Sequence, residues 1–244
     1  MNHPDGKRLL AAVRDGDYAH AGEEEAIRLT WKRLPENPTQ LCLDAGCGRG
    51  GTAAFVQRSG WGKVTGADTD AETITNARAA YPAVEFQAAD VKDLASRFPA
   101  RFDLIYAFNA FYAFPDQTAA LHALAGAAKA DGKLCLFDYV DRGDFAQSPF
   151  RQYPETLLWQ PLQLETLPAL LQTAGWRVST LLPVHEEFRR WYADLNQRFQ
   201  NRQEDLLRHF PEDLVRYAAG YYRSLLQAIE DGALGGAIVY ADRL

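Results

Sequence analysis

The part of this sequence that most constrains its fold is a short apolar strand that runs into a glycine-rich turn. Residues 41–44 are Leu-Cys-Leu-Asp, and glycines follow at Gly46, Gly48, Gly50 and Gly51 before a predicted helix over 52–58. Glycine adopts positive φ angles at little cost and lets a ligand approach the backbone closely. A turn between a strand and a helix also points free N–H groups at whatever binds there. The pattern therefore predicts a small-molecule site of the nucleotide-binding kind at the carboxyl end of a parallel strand.

The glycine spacing alone fits two kinds of nucleotide ligand. Gly46-x-Gly48-x-x-Gly51 matches the dinucleotide fingerprint, and Asp68 lies about 20 residues further on, as that fingerprint requires. Asp44, however, ends the strand where a pyrophosphate would have to lie. A carboxylate at that point repels phosphate and suits a cationic ligand. An NAD-dependent oxidoreductase therefore stays an alternative, and a nucleoside that carries positive charge is favoured.

The stretch Asp44-x-Gly46-x-Gly48-x-Gly50 resembles the first motif of class I S-adenosylmethionine (SAM) methyltransferases. SAM carries a sulfonium and an ammonium and no phosphate, which agrees with an acidic lining. The resemblance covers the core from Leu41 to Asp138, and it implies SAM as cofactor, S-adenosyl-L-homocysteine as product and no metal. It also implies an α/β fold with a Rossmann-like, seven-stranded, mostly parallel sheet and an antiparallel last strand.

The pattern of apolar runs predicts how the chain is divided. Strands are expected over 63–68, 84–90, 102–108, 133–138, 176–182 and 236–241, and helices over 23–34, 117–130 and 161–174. Between the sixth and seventh strands, aromatic and aliphatic residues recur at helical spacing over 188–199 and 214–229. We expect a helical lid over 1–38, a SAM-binding core over 39–183, a helical cap over 184–235 and a final core strand over 236–244. Residues 16–22 are predicted to be a polar, flexible link.

The composition bounds the partners and the compartment. The chain has 244 residues and a net charge of −6, which argues against a nucleic-acid partner. Its three cysteines form no Cys-x-x-Cys pair or metal spacing, so we expect reduced thiols, with Cys47 accessible in its loop. No signal peptide and no membrane-spanning apolar stretch are recognised. These observations predict a cytoplasmic protein that is a monomer or a homodimer.

The carboxyl ends of successive parallel strands meet at one edge of a sheet, so polar residues there define the expected cofactor crevice. Asp68 ends the second strand and can accept both ribose hydroxyls of a bound nucleoside. The resemblance implies that Asp90 bonds the adenine amino group and that the backbone of Val91 lies on the ring; alternatively, Asp90 only caps the turn at 92–94. The predicted cofactor-binding residues are Asp44, Gly46, Cys47, Gly48, Asp68, Thr69, Asp90, Val91 and Asn109.

Methyl transfer from SAM is an in-line displacement, and most of its rate can come from positioning the acceptor. A general base helps if the acceptor carries a proton, and the candidates are His20, Tyr18, His185 and Tyr139. Aromatic side chains would hold a cationic amine by cation–π contacts. An acceptor carboxylate or phosphate would need an arginine, for which Arg142, Arg151, Arg189 and Arg190 are candidates. The predicted acceptor-binding residues are Tyr112, Asp138, Arg189, Trp191 and Tyr222.

A second, looser resemblance concerns the acceptor. The first motif, the strand end Phe137-Asp138-Tyr139 and the tail over 232–238 resemble small-molecule N-methyltransferases of the sarcosine/dimethylglycine and phosphoethanolamine type. Tyr18 resembles a tyrosine that acts with a histidine in the phosphoethanolamine enzymes, although residues 19–23 depart from their pattern. We therefore expect methyl transfer from SAM to a small molecule, an amine, in a capped pocket. An RNA or protein methyltransferase and a non-catalytic SAM-binding protein stay alternatives, because binding residues alone do not prove catalysis.

Overall fold

The chain is built on one seven-stranded sheet in a computed structural model that describes Met1 and residues 3–244. The strands are β1 (Leu41–Ala45), β2 (Lys63–Asp68), β3 (Glu85–Ala88), β4 (Phe102–Phe108), β5 (Ala128–Asp141), β6 (Trp176–Pro183) and β7 (Leu234–Arg243). Their order in the sheet is β3-β2-β1-β4-β5-β7-β6. β1 to β5 pair in parallel, and β7 runs antiparallel to both β5 and β6. The predicted Rossmann-like sheet with an antiparallel last strand is confirmed.

The central strands are apolar because both of their faces are covered. Leu104, Tyr106 and Phe108 of β4 belong to one buried cluster, whereas Ile105 and Ala107 point into a second cluster on the opposite face. A sheet packed on both sides has no solvated face, so its strands show no polar alternation. This explains why β4 appears in the sequence as a nearly unbroken apolar run.

The order of the strands reverses between β1 and β4. From β1 the chain moves outward through β2 to β3, and it then returns to the other side of β1 to place β4 and β5. The loops after β1 and β4 therefore leave in opposite directions and open a crevice at the carboxyl edge of the sheet. In open α/β sheets this is where ligands bind.

Ten α-helices surround the sheet in the described part of the chain. They are α1 (Pro4–Arg14), α2 (Glu23–Trp31), α3 (Gly51–Arg58), α4 (Ala71–Ala80), α5 (Leu94–Arg97), α6 (Gln117–Ala127), α7 (Leu167–Thr173), α8 (His185–Asn201), α9 (Gln203–His209) and α10 (Glu212–Glu230). Asp70 caps α4 by accepting from the backbone N–H groups of Glu72 and Thr73, both at 3.1 Å. Such caps satisfy N–H groups that lack a partner in the first turn.

The helices between β6 and β7 form the predicted insertion. α8 packs against α10 and also contacts α1 near the amino terminus. The side chains Phe188, Trp191, Tyr192, Leu195 and Phe199 of α8 are buried, as their helical spacing predicts. α9 was not predicted. Among Met1 and residues 3–244, no helix is long and apolar enough to cross a membrane.

Three segments differ from their predicted form. The helix expected over 161–174 is limited to α7, because Leu162 bridges to Val140 and its N–H donates to Tyr139 O at 2.8 Å. The helix expected over 117–130 ends at Ala127, because Ala128 already pairs with β4 as the start of β5. The link at 16–22 is not a solvated loop, since His20 and Ala21 are buried.

Candidate functional site

The glycine-rich turn after β1 needs glycine for steric reasons. Gly46 has φ +83°, and a Cβ at this position would lie 2.5 Å from the Cβ of Ala110, which follows β4. The turn is thus pressed against the exit of the neighbouring strand. Gly48 donates its N–H to Asp68 Oδ2 at 2.9 Å, which fixes the turn against the end of β2. Three separate strand ends therefore meet at one point of the crevice.

Two carboxylates lie together in this crevice. Asp44 is 1% exposed, and its Oδ2 makes no hydrogen bond of good geometry in the described residues, although the Tyr106 hydroxyl lies near enough to lower the pKa of the carboxyl. Burial raises the pKa of Asp44 well above its usual value, and the nearby Asp68 raises it further. Asp68 Oδ1 accepts from Asp70 N at 3.0 Å, and Lys7 Nζ of α1 lies 3.7 Å from the same oxygen. A cationic ligand would offset the repulsion between the two acids, whereas a phosphate would increase it.

The exit of β4 adds a polar amide to the crevice. Asn109 adopts φ +44°, a left-handed conformation that asparagine tolerates better than most residues. Its N–H donates to Phe137 O at 2.7 Å, and its Oδ1 accepts from Ala21 N at 3.4 Å. The Nδ2 group is buried without a partner among the described residues. An unused donor and an unused carboxylate oxygen at the ends of neighbouring strands fit a ligand such as SAM, which carries both hydrogen-bond acceptors and positive charge.

The other predicted cofactor residues lie around this edge. Asp90, after β3, accepts from Lys92 N at 3.0 Å and thus caps a short 3-10 helix that begins at Val91. The Asp90 side chain is 42% exposed, so capping the helix leaves it free to contact a ligand. Binding of the adenine by Asp90 and Val91 stays a prediction. Thr69 is exposed next to Asp68. Cys47 was expected to be accessible, but this prediction is wrong. The residue is 7% exposed, and burial raises the pKa of its thiol.

The segment between α1 and α2 lies directly on the glycine turn. Asp17 accepts from Arg49 Nε at 2.5 Å and from the Tyr81 hydroxyl at 2.8 Å, and its carbonyl oxygen accepts from Gly51 N at 3.3 Å. Tyr18 donates its hydroxyl to Glu24 Oε1 at 3.2 Å, and burial raises its pKa to about 12. These contacts attach the segment to the crevice that was predicted to hold the cofactor.

His20 is enclosed in this segment as a neutral imidazole. It is 1% exposed, and its ring lies 4.8 Å from Phe108 and 5.9 Å from Phe137. Nδ1 donates to Ala21 O at 3.0 Å, which leaves Nε2 to accept from the Thr52 hydroxyl at 2.9 Å. Burial lowers the pKa of His20 to about 3. Both ring nitrogens are therefore engaged, and the predicted role as a base stays untested.

A cluster of aromatic side chains, here called the aromatic cluster, adjoins the crevice at the end of β5. Tyr139 packs against Tyr112 with ring centroids 5.0 Å apart and against Trp159 at 4.7 Å. Its hydroxyl is hydrogen-bonded to that of Tyr192, and Tyr192 stacks on Tyr222 at 6.5 Å. The cluster consists of Tyr112, Tyr139, Trp159, Phe188, Tyr192 and Tyr222, all buried. The predicted site residues Tyr112, Tyr139 and Tyr222, together with Tyr192 beside Trp191, are thus brought together from four different elements.

Asp138 fixes the backbone of two residues of this cluster. It is 0% exposed, and its carboxylate accepts from Tyr112 N at 3.1 Å and from Tyr139 N at 2.7 Å. Burial raises the pKa of Asp138 to about 7, although the backbone hydrogen bonds oppose this shift. Asp138 therefore holds two cluster residues by their backbones, and its predicted contact with an acceptor stays a prediction.

The remaining predicted residues lie at the border of the site or outside it. His185 Nδ1 accepts from Gly236 N at 3.2 Å, which ties the start of α8 to β7. Trp191 is buried and donates its Nε1–H to Glu25 Oε2 at 2.9 Å. Arg189 is exposed and pairs with Glu186 at 3.0 Å, so the structure does not place it among the buried cluster residues.

Sequence reasoning missed three residues at the site. Lys7 and Arg14 of α1 and Trp159 of the segment before β6 all contact or approach predicted site residues. Arg14 follows Leu10 by four residues, so helical periodicity places it on the buried face of α1, which is an unusual position for arginine. That signal was available in the sequence. Lys7 and Trp159 carry no such signal, because their positions depend on long-range packing.

Within the described residues, no group of three or more His, Cys, Asp or Glu side chains is arranged to hold a metal ion.

Comparison with known proteins gives a consistent family. The model of the methyltransferase domain family matches residues 18–181. Trans-aconitate 2-methyltransferase of Azoarcus sp. (strain BH72) is 32% identical over 185 residues, which cover 74% of this chain and 66% of that protein. The O-methyltransferase cnsE of Penicillium expansum is 28% identical over 250 residues, which cover 94% of this chain and 86% of that protein. The chain thus spans just under two thirds of the Azoarcus relative.

Solved structures share the fold at lower identity. Phosphoethanolamine N-methyltransferase 2 of Haemonchus contortus, in complex with phosphomonomethylethanolamine and S-adenosylhomocysteine, aligns with a TM-score of 0.88 and 18% identity over 98% of this chain and 57% of that chain. A structure assigned as a sarcosine dimethylglycine methyltransferase of Galdieria sulphuraria aligns with a TM-score of 0.84 and 13% identity over 98% of both chains. At these identities the likeness establishes the fold.

Proposed function

This chain belongs to the family of S-adenosylmethionine-dependent methyltransferases, and we propose that it transfers the methyl group of SAM to a small organic molecule held beneath α8 and α10. The observation that carries the proposal is that the exit of β4 joins the acidic crevice to the buried aromatic cluster. Asn109 closes the crevice, and Tyr112, three residues later, belongs to the cluster. A donor in the crevice would therefore lie next to an acceptor in the cluster.

We propose the following division of roles for the cofactor. When bound, SAM supplies an electrophilic methyl group on a positively charged sulfur. Asp68 accepts the ribose hydroxyls, Asp44 offsets positive charge with its unpaired oxygen, and Asn109 donates from Nδ2. Asp90 and Val91 bind the adenine. Each of these groups already points into, or borders, the same edge of the sheet.

The aromatic cluster supports an acceptor that enters without water. Its side chains exclude solvent, and ring faces such as those of Tyr112, Tyr139 and Trp159 attract a cationic or polarised amine. In the transfer, the acceptor lone pair would form the new bond to the methyl carbon, S-adenosyl-L-homocysteine would leave with the electrons of the broken bond, and a proton carried by the acceptor would pass to solvent as the product leaves. The paired hydroxyls of Tyr139 and Tyr192 are placed to bond the acceptor and to orient it. Residues 1–38 act as a lid and 184–235 as a cap in this proposal.

An oxygen acceptor is the second candidate. The relative with 32% identity is named for methylation of trans-aconitate, and a further relative is named an O-methyltransferase. The cluster fits an oxygen nucleophile because its hydroxyl groups can bond a carboxylate or alcohol. The amine is favoured by the ring faces, and the oxygen is favoured by the sequence relatives.

Transfer of a radiolabelled methyl group from SAM into a cell extract, followed by separation by size, tests the proposal. We expect label in the small-molecule fraction, and the labelled compound would identify the acceptor atom. An Asp68→Ala variant in the same extract controls for methyltransferases already present. Label in protein or RNA would contradict the proposal, and binding of SAM without any transfer would favour a non-catalytic binding protein.

A further inference from the structure

The guanidinium of Arg14 is buried with one edge unused. Arg14 is the last residue of α1, and its side chain is 1% exposed. Nη1 donates to Glu23 at the start of α2. Nε and Nη2, however, have no hydrogen-bond partner within Met1 and residues 3–244. Glu23 therefore satisfies only one corner of the group.

The two unused nitrogens form the side of the guanidinium that binds anions. Nε–H and Nη2–H point in the same direction and match the two oxygens of a carboxylate or phosphate in a bidentate pair. Buried polar groups nearly always have a partner, and leaving charged donors without one destabilises the folded chain. An unused edge of this shape thus points to a ligand with paired oxygens.

The surroundings of this edge connect it to the aromatic cluster. Arg14 interacts electrostatically with Tyr192 and Tyr222 of the cluster, and its positive charge also acts on His20. Within Met1 and residues 3–244, Glu23 is the one carboxylate that bonds Arg14, and Glu23 Oε1 also lies 3.9 Å from Arg198 Nη1. Glu23 thus faces two guanidinium groups, so an additional anion near Arg14 is not opposed by an excess of negative charge.

We propose that the Nε–Nη2 edge of Arg14 binds an oxyanion, a carboxylate or a phosphate, that belongs to the methyl acceptor. The inference rests on the proposed function, because it assigns a substrate class to the same aromatic cluster. Tyr192 and Tyr222, with which Arg14 interacts electrostatically, belong to the buried aromatic cluster that we propose as the acceptor site. The acceptor is thus a small molecule with an anionic group at one end and the methylated atom at the other. A neutral ester or amide analogue lacks the paired charged oxygens and binds poorly.

The test uses the whole protein saturated with S-adenosyl-L-homocysteine, with acetate and inorganic phosphate as probes and chloride as the control at equal ionic strength. Proton–nitrogen NMR spectra resolve arginine Nε–H groups, and the Arg14 signal is the one that Arg14→Lys removes. We expect this signal to shift in a saturable way with acetate or phosphate and to stay unchanged with chloride. The probe that binds more tightly identifies the oxyanion as a carboxylate or a phosphate.

A pair of variants gives an independent readout by calorimetry. Arg14→Lys keeps the charge beside Glu23 but removes the bidentate edge, so it should weaken oxyanion binding about tenfold or more. Arg216→Lys is the matched control, because Arg216 is an exposed residue of α10 that pairs with Glu212. It should leave the affinity unchanged. Arg14→Lys must still bind S-adenosyl-L-homocysteine, which shows that it is folded.

Two outcomes separate this inference from the function on which it rests. An Arg14 signal that no oxyanion moves, in a protein that binds S-adenosyl-L-homocysteine and transfers methyl groups, would overturn the inference alone. Equal oxyanion affinity in wild type and Arg14→Lys would do the same. Failure to bind S-adenosyl-L-homocysteine at all would instead reject the proposed function.

Discussion

Replacing Asp68 with alanine removes the group that we place on the ribose of SAM. The carboxylate already accepts from Gly48 N at 2.9 Å and from Asp70 N at 3.0 Å, one bond to each oxygen. Each oxygen retains a further lone pair, which a ribose hydroxyl can use. The side chain is 13% exposed, so these bonds form largely out of water.

The magnitude follows from the two bonds lost with the ligand. A hydrogen bond to a charged group contributes about 1.5–3 kcal/mol, so two contribute about 3–6 kcal/mol. SAM affinity should therefore fall about 10²- to 10⁴-fold. The loss of the bonds to Gly48 and Asp70 should also lower the stability of the free protein by about 1–3 kcal/mol.

Calorimetric titration with SAM measures the affinity, and Asp70→Ala is the matched control. Asp70 lies two residues further on and caps α4, so its loss should cost about 1 kcal/mol of stability without changing the ribose contacts. Unchanged affinity in Asp68→Ala would refute the placement of the ribose. Equal losses of affinity in both variants would show that loop stability, and not a ligand contact, was being measured.

Three further outcomes are expected. Gly46→Ala should lower the melting temperature and the SAM affinity more than Gly60→Ala does. Both glycines have positive φ, but only at Gly46 would the new Cβ lie 2.5 Å from the Cβ of Ala110. Equal effects of the two substitutions would refute the steric argument. Burial lowers the pKa of His20 to about 3 in the folded chain. As the pH falls below about 6.5, His20 is therefore protonated in the unfolded chain but not in the folded one, which favours unfolding. Between about pH 7.5 and about pH 5, wild type should therefore lose about 2 kcal/mol of unfolding free energy relative to His20→Gln, and parallel denaturation profiles would contradict this. Tyr139→Phe, which keeps the ring, should raise the acceptor KM less than Tyr139→Ala if ring faces hold the acceptor; similar KM values in the two variants would refute that contact.

Local chemistry explains which features could be predicted from sequence. The turn after β1 and the acid at the end of β2 can each be predicted from a few consecutive residues, because glycine conformation and strand exits are local properties. The predicted mostly parallel sheet with its antiparallel last strand came with the family resemblance. The confirmed helices of the insertion likewise follow from an apolar periodicity that a single segment contains.

The features that could not be predicted depend on distant partners. β5 begins at Ala128, although residues 117–130 have helical character, because Ala128 pairs with Phe102 of β4. His20 is buried, although it lies in a short segment between Asp17 and the acidic start of α2, because Asp17 and Thr52 attach the segment to the glycine turn. Trp159 enters the aromatic cluster from a stretch with no regular pattern. In each case a contact with residues that are distant in sequence determines the structure of the segment.

The segment that joins α1 to α2 argues against a protein that only binds SAM. Asp17 bonds Arg49 beside the glycine turn, and Arg14, the last residue of α1, is buried with an unused edge. Buried guanidinium nitrogens without partners lower the stability of the folded chain. A protein that binds only SAM gains no function that would offset this cost. Polar groups that are buried at a cost, next to a cofactor site and outside it, favour a second ligand, and a methyl acceptor is the ligand that this position would serve.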